Sequence, residues 1–542
     1  MNEPKIEKTD YTTEKISMRE KVAYGLGGFM DGGGVTLMSC IMMAYMTKVA
    51  GIAMGIASTI MTVAKIWDAV TDPMMGFISD NCTSRFGRRK PFMIGGAVAL
   101  IFALCFLFMP LRAWGVSAGG MIPYILIMYL VWNTSSTVTM IPYCSMSSDI
   151  SPSYKERNSA NTVKLIFTSI ASGLAYIVPF VLIEALISDS GFMFVPNISP
   201  VTFWIAVTII FGTLFGGGLI VCGIFVKERV KGTGEKVKFN AKRFVQNYVE
   251  PMRNKSYRAH ILMYVSAFTC MDIISALAIY YATDVWHGYQ LFGLNMSSLF
   301  IVAPMMISCV IMFPIARIVM NKKSKQFAFR MGLPFYIIGG IMLACMDPSW
   351  ANPILVPIAA VIMGLGFGGA QMMPWIIFPD TLDVAYMATG KKQAGAYGGL
   401  MTLARKVSGA FGVGLVGWIL GGLGYLENKS DDPTLYVPQN SKVLVGIRLV
   451  FGISIVVLVS IALFASFKYK ITNKKLDRVF YFSNAYEKGL PLSEDEKIER
   501  EKLISELYGK DEWILSKNDN SNENEEIAAT DEVNEVANAS DE

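Results

Sequence analysis

The sequence predicts an all-α polytopic membrane protein of about twelve transmembrane helices. Three observations carry that prediction. Of 542 residues, 53% are hydrophobic and only 17% are charged, whereas a soluble domain usually carries about a quarter charged residues. The shortage of charge is concentrated in long apolar runs of the length one bilayer crossing needs. Those runs lie near 22–48, 54–79, 91–111, 121–147, 160–187, 201–226, 258–284, 296–320, 329–347, 352–379, 394–424 and 443–468. The third observation is the abundance of small residues at close spacing, as in GAFGVGLVGWILGGLG from Gly409. Small residues let helices approach in lipid, where fit and dispersion replace the hydrophobic effect.

The loops set the orientation. Positive charge gathers between spans 2 and 3 (Arg85, Arg88, Arg89, Lys90), 4 and 5 (Lys155, Arg157), 8 and 9 (Lys322, Lys323, Lys325, Arg330) and 10 and 11 (Lys391, Lys392). The long stretch between spans 6 and 7 is basic as well. Cytoplasmic loops carry the Lys and Arg excess, so both termini are expected in the cytoplasm. These basic loops need no nucleic-acid partner to explain them.

The resulting organisation is a cytoplasmic segment over 1–21 and a first six-helix bundle over 22–227. A cytoplasmic loop over 228–257, a second bundle over 258–469 and an acidic tail over 470–542 follow. Two six-span halves around a long loop are the pattern of a secondary transporter with its path between the halves. No strong internal repeat stands out. Within the tail, Ser493 and Glu496 form a capping box and Gly509 a helix stop. Beyond Trp513 the chain is acidic, Asn-rich and expected to be disordered. The first residues lack the apolar core and cleavage site of a signal peptide.

The eight cysteines lie mostly inside apolar runs and there are only two histidines. Neither a disulfide framework nor a zinc site is expected. No nucleophile–histidine pair, metal cluster or phosphate loop appears, so an enzyme is not expected, and nothing calls for a cofactor or an obligate protein partner.

The chemistry sits in charges inside the apolar runs. KIWDAVTDPMMGFISD places Asp68 and Asp72 one turn apart on one face of span 2. A carboxylate at mid-bilayer costs about 3 kcal/mol on insertion scales, so such groups face a cavity or a partner. Two like charges this close repel, and one proton or one small cation relieves the repulsion. A hard cation such as Na+ suits oxygen ligands, and Thr71, Thr134 and Thr137 carry hydroxyls near the pair. The alternative is a structural pairing with Lys65. Asp31, Lys164, Asp272, Arg405 and Lys406 are further charges within spans, and Lys406 is the expected complement of the acidic pair. Asp80 with Arg85, Arg88 and Arg89 reads as an inner-end latch of charge pairs. Asp380 and Asp383 at the inner end of span 10 read either as gating residues or as solvated interface.

With these stretches in view, IWDAVTDPMMGFISDNCTSRFGRRKPF resembles the signature of the glycoside–pentoside–hexuronide:cation symporter family of the major facilitator superfamily. YGLGGFMDGG, IPYCSMSSDISPSYKERNSAN and PDTLDVAYMATGKK are similar to that family's spans 1, 4 and 10, and RKVSGAFG to its span 11. The resemblance implies the major facilitator fold and symport of a sugar with Na+ or H+. It implies a cation site at Asp68 and Asp72 with Thr71, Thr137 and Lys406. The family's sugar-binding aspartate of span 1 falls at Gly32, next to Asp31, and its span-5 arginine is matched approximately by Lys164. In span 4 the family's best-known member has an aspartate and a tryptophan where this chain has Met140 and Cys144. That departure removes an acceptor, a stacking face and a charge that would repel an acidic sugar, and favours a hexuronide or another sugar over a galactoside. Asp272, Gln371, Trp375, Arg405 and Asn133 are the remaining candidates for contacts to the substrate. PWIIFPDTLD, from Pro374, is also similar to a related lysolipid carrier, so an amphipathic substrate is the alternative, as is uncoupled sugar exchange.

Overall fold

The computed structural model describes residues 15–82, 84–151, 154–188, 191, 192, 195–229, 249–391, 393–430, 432–487 and 492–509. The side chains of Asp80, Ser148, Tyr154, Lys155 and Asn158 are not among them. The first fourteen residues, most of the loop between the halves and the end of the acidic tail also lie outside.

Twelve long helices follow one another: α1 (Met18–Val49), α2 (Met54–Asp80), α3 (Lys90–Leu107), α4 (Ala118–Asp149), α5 (Tyr154–Ile187), α6 (Pro200–Phe225), α7 (Lys255–Val285), α8 (Leu299–Lys322), α9 (Lys325–Cys345), α10 (Leu355–Thr389), α11 (Ala394–Gly422) and α12 (Ser441–Lys468). Eleven of them are long and apolar enough to cross a membrane. The exception is α2, which has the length but carries Lys65, Asp68, Asp72 and Asp80. Two shorter helices, α13 (Asn473–Glu487) and α14 (Glu494–Leu507), close the described chain. A two-stranded hairpin, β1 (Gln290–Leu291) with β2 (Leu294–Asn295), precedes α8.

Local chemistry sets the helix starts. Ser17, Ser117, Ser199, Asn254 and Ser324 each accept a backbone N–H of the first turn through the side chain, which satisfies a donor the helix leaves free. Glu228 caps α3 from a distance: its carboxylate accepts the N–H groups of Arg88, Arg89 and Lys90 at 2.7, 2.9 and 3.1 Å. Gly87 admits this cap, since it has φ +111° and a Cβ there would stand 2.7 Å from Glu228 Oε1. The first turn of α10 lies near its expected start, but the helix continues to Thr389 through Pro379, so Asp380 and Asp383 sit inside it.

The two halves repeat a device that the sequence analysis did not register. Both α1 and α7 end in a π-helical turn, Tyr45–Val49 and Tyr281–Val285, with the sequences YMTKV and YATDV. The matched fourth positions meet across the interface, with Lys48 Nζ 2.6 Å from Asp284 Oδ1, and beside them the hydroxyls of Thr47 and of Tyr280, the residue before the second turn, are 2.7 Å apart. Asn428 N–H donates to Thr47 O at 3.2 Å, and Ser298 N–H of the second half donates to Glu184 Oε1 of the first at 2.8 Å. These contacts close the end of the molecule remote from the basic loops, called here the far end. Glycine makes the central contact close. A Cβ on Gly414 of α11 would stand 2.5 Å from Thr62 Oγ1 of α2 and one on Gly417 would fall on Ser58, while within the second half one on Gly412 would stand 2.6 Å from Thr269 Cγ2.

The tail is folded onto the second half. Ser493 and Glu496 form the expected capping box of α14. Tyr508 O accepts the Lys255 N–H at 2.9 Å and Leu507 O accepts the Ser256 hydroxyl at 2.7 Å. Arg500 donates to Met387 O at 2.9 Å. Between the two tail helices, Lys475 pairs with Glu506 at 2.7 Å and Arg478 Nε with Glu499 at 2.8 Å.

Candidate functional site

Three ion-pair groups converge where α2, α7 and α11 cross and where α1 meets α5. The first joins Asp68 and Asp72 of α2 to Lys406 of α11. Lys406 Nζ is paired with Asp72 Oδ2 and stands 3.8 Å from Asp68 Oδ2. Thr137 of α4 donates to Asp72 Oδ1 at 2.8 Å. Both oxygens of Asp72 are therefore engaged, whereas Asp68 Oδ1 is buried without a hydrogen-bond partner. Two carboxylates against one ammonium leave one unit of negative charge on this group. Pro73 has no N–H to give the carbonyl of Ala69, so an oxygen between the two aspartates is spared from the helix ladder.

Thr71, expected at the cation, turns back on its own helix, donating to the carbonyls of Trp67 and Asp68 at 3.1 and 3.4 Å. Its hydroxyl lone pairs remain for another ligand. Thr134 accepts from Trp67 Nε1 at 2.9 Å and so packs α4 on α2.

The second group pairs Arg405 of α11 with Asp272 of α7 through two hydrogen bonds, one of them at 2.8 Å. Lys65 of α2 reaches the same place: a Cβ on Gly409 would meet Asp272, Arg405 and, at 3.5 Å, Lys65 Nζ. Lys65, the alternative partner of the α2 aspartates, has its end toward Asp272. Arg405, Asp272, Lys65, Asp68, Lys406 and Asp72 thus form a row of alternating sign across the interface. Arg405 also lies over Phe268, 5.4 Å from the ring centroid, and Trp375 meets Tyr264 and Phe268 edge-on at 5.5 and 6.4 Å.

The third group joins Asp31 of α1 to Lys164 of α5 at 3.0 Å. The ammonium lies 4.9 Å from the Tyr143 ring centroid, and the Tyr143 hydroxyl is fixed on Tyr24 O at 2.9 Å. Gly32 cannot take an acidic side chain, because a Cβ there would sit on the Thr168 carbonyl oxygen. The neighbouring Asp31 is the acid that α1 presents.

The remaining candidates fall elsewhere. Asn133 is buried with its Nδ2 unpartnered. Gln371 accepts from Cys309 Sγ at 3.1 Å, which places its amide at the α8–α10 contact. Trp375 is 56% exposed although it lies mid-helix. Arg88 donates to Asp149 at 2.8 Å, and Arg89 to Asp149 at 3.2 Å and to Ser79 at 2.9 Å. The acids that the described residues give this cluster are Asp149 and Glu228, and Asp80, singled out from the sequence, has its side chain outside the description. Arg85 is exposed and lies 5.8 Å from the Phe86 ring centroid. Asp380 is held by Lys325 at 2.7 Å, and Asp383 follows one turn on.

Sequence reasoning missed Asp149, Glu228, Glu184 and the Lys48–Asp284 pair. The last carries a sequence signal, the matched YxTKV and YxTDV ends of α1 and α7.

Charged groups mid-helix that stay partly exposed, in a fold of two helical halves, define a membrane transporter rather than an enzyme. The family described as MFS/sugar transport protein matches residues 23–473, and the chain belongs to that family. An uncharacterized symporter of Bacillus subtilis, YnaJ, is 27% identical over 474 residues, covering 85% of this chain and 94% of that protein. The glucuronide carrier protein homolog of Escherichia coli is 23% identical over 480 residues, 86% and 95% of the two chains. The sodium-dependent lysophosphatidylcholine symporter 1 of Gallus gallus is 24% identical over 395 residues, 68% and 72%. Among solved structures, the D-xylose-proton symporter aligns with a TM-score of 0.56 at 14% identity over 84% of this chain and 97% of that one. That likeness establishes the major facilitator fold. Membership of the glycoside–pentoside–hexuronide:cation symporter group, expected from the α2 stretch, agrees with these relatives, and a coupling ion comes with it.

Proposed function

We propose that this chain is a secondary transporter of the cell membrane that carries a sugar together with Na+ or H+ by alternating access. The observation that carries the reading is the Asp68–Asp72–Lys406 group, in which two carboxylates share one ammonium and, among the described residues, one buried carboxylate oxygen has no partner. A small cation or a proton at Asp68 neutralises it. Thr137 fixes Asp72, and Lys406 yields part of its pairing when the cation arrives.

The charge balance favours an acidic sugar, a hexuronide. Asp31, Asp68, Asp72 and Asp272 formally cancel Lys65, Lys164, Arg405 and Lys406. Loading one cation leaves one positive charge at the centre, which a singly negative substrate cancels. Arg405 and Lys164 offer donors to its carboxylate, and Trp375 and Asn133 a ring face and an amide. Asp80, Arg85, Arg88 and Arg89 on one half and Asp380 and Asp383 on the other belong to the gate at the basic end, which is cytoplasmic together with both termini. The loop over 228–257 and the tail over 470–542 lie on that side.

The second reading is a lysolipid-like substrate. It draws on an apolar groove of about 1000 Å3 along α7, α11 and α12, lined by residues such as Val265, Phe411, Leu415, Leu449 and Ile453. Uptake into proteoliposomes of labelled uronides, neutral sugars and lysolipids, with and without a Na+ or H+ gradient, separates the readings. Gradient-driven accumulation of a uronide is the expected result. Uptake that ignores both gradients sinks coupled symport, and accumulation of lysolipid alone sinks the sugar.

A further inference from the structure

We propose that Glu184 is a second proton-binding site, and that its proton closes the far end of the transporter. Glu184 belongs to α5, in the first half, and its Oε1 accepts the N–H of Ser298 at the start of α8, in the second half, at 2.8 Å. The Ser298 hydroxyl is bonded to the same oxygen. The residue is 4% exposed, and its other oxygen, Oε2, is buried with no partner among the described residues.

Among the described residues, no free counter-charge faces the carboxyl. Glu184 lines a cavity of about 270 Å3 whose other described titratable residues are Lys48, His287, Tyr289, Tyr425 and Tyr436. Lys48 is committed to Asp284 at 2.6 Å, and Asp284 also accepts the Tyr425 hydroxyl at 2.9 Å. His287 lies flat on Tyr436, with ring centroids 3.4 Å apart, and burial holds its ring below the ordinary histidine value. Ser297 and Ser298 are the partners that the start of α8 gives the carboxyl, and neither carries charge. A helix N-terminus attracts an anion, but less strongly than an unpaired buried carboxylate is penalised. The seated carboxyl therefore carries a proton.

Opening the far end separates α5 from α8 and puts Glu184 in water, where it ionises. The cavity wall includes the exposed Leu426 and Leu435, so the proton leaves by the rim. The closed form binds one more proton than the open form. Acidity on that side favours closure, and closure weakens as the pH rises. The linkage reaches at most about tenfold in the closed-to-open ratio per pH unit. It is separate from the α2 aspartates and does not require the transported ion to be H+.

The test is the spin-label distance between Ala113→Cys and Trp350→Cys, exposed far-end positions on the two halves. Full-length protein is used, with Cys144 and Cys345, the exposed native thiols, replaced by serine. The wild-type background should pass from short to long distances as the pH rises. Glu184→Gln should stay short throughout, and Glu184→Ala should lose the pH slope while shifting toward long distances. The proposal is overturned if the wild-type background has no slope. It is also overturned if the slope survives Glu184→Gln or Glu184→Ala, since the proton would then sit elsewhere, as at Asp68 and Asp72.

Discussion

Replacing Asp68 by asparagine tests the proposed cation site with the least disturbance to the fold. Asparagine has the shape of aspartate, and the Lys406–Asp72 pair with its Thr137 hydrogen bond does not need Asp68. Only the unpartnered oxygen and one unit of charge are lost. A cation about 4 Å from a carboxylate gains about 4 kcal/mol at the effective dielectric of a partly buried site. Residual exposure, 16% for the Asp68 side chain and 13% for Asp72, with competition from Lys406, lowers this to about 2 kcal/mol. The variant should then need about 30-fold more cation for half-maximal uptake. In proteoliposomes the concentrative phase of uptake should vanish at physiological ion levels, while counterflow of substrate down its own gradient continues. Unchanged cation dependence in a folded Asp68→Asn variant would refute the argument, because the open valence on α2 would then serve packing alone.

Three other perturbations follow from the same structure. Arg405→Ala leaves the buried Asp272, 8% exposed, with Lys65 as its nearest described cation and without its two-pronged partner, and should cost about 3 kcal/mol of stability, read as a fall in unfolding temperature in detergent. Arg405→Lys should recover only part, since the two-pronged fit is lost; full recovery would mean that charge alone matters there. Gly32→Ala should cost about 1–3 kcal/mol by driving α1 off α5, visible as loss of monodisperse protein in size-exclusion chromatography, and a normal profile would contradict the close packing. In the tail, Arg478 beside Glu499 and Lys475 beside Glu506 hold those carboxyls below the usual carboxylate range. Such groups stabilise docking above their ordinary value, and the contribution disappears as the pH falls through the depressed one. Hydrogen exchange in α13 and α14 should rise on acidification below about pH 4.3. It should also rise with salt, because these pairs are exposed. Exchange that ignores both would leave the docking to apolar contacts.

Much of this architecture is legible in the sequence, because lipid imposes a simple code. A span must be long and apolar, and the twelve runs lie close to the twelve helices. Charges inside the runs flag the site, since only a cavity or a partner justifies them. Asp68, Asp72 and Lys406 could be grouped because one turn of helix and one missing counter-charge suffice to bring them together. What stays illegible is the choice of partner when several charges compete. Lys65 could have answered Asp68, yet its end lies toward Asp272 across the interface. Asp149, at the end of α4, accepts from both Arg88 and Arg89, which stand 61 and 60 residues before it in the chain. The helix α13 escaped because a short polar helix on a protein surface has no lipid code to announce it. The repeat shared by α1 and α7 escaped for another reason: it is five residues long, and its two versions carry opposite charges.

The glycines of α11 have a mechanical consequence. Where Gly414 and Gly417 meet Thr62 and Ser58, α11 has no side chain of its own in the way, so its backbone lies directly against side chains of the opposite half. The Thr62 hydroxyl donates to the Ala410 carbonyl at 3.3 Å across that gap, and the Lys406–Asp72 pair joins the same two helices. The middle of the seam is thus a close-set clasp, and any motion that parts α2 from α11 has to undo it along with the contacts at the far end. A single methyl on Gly417 would hold the clasp ajar.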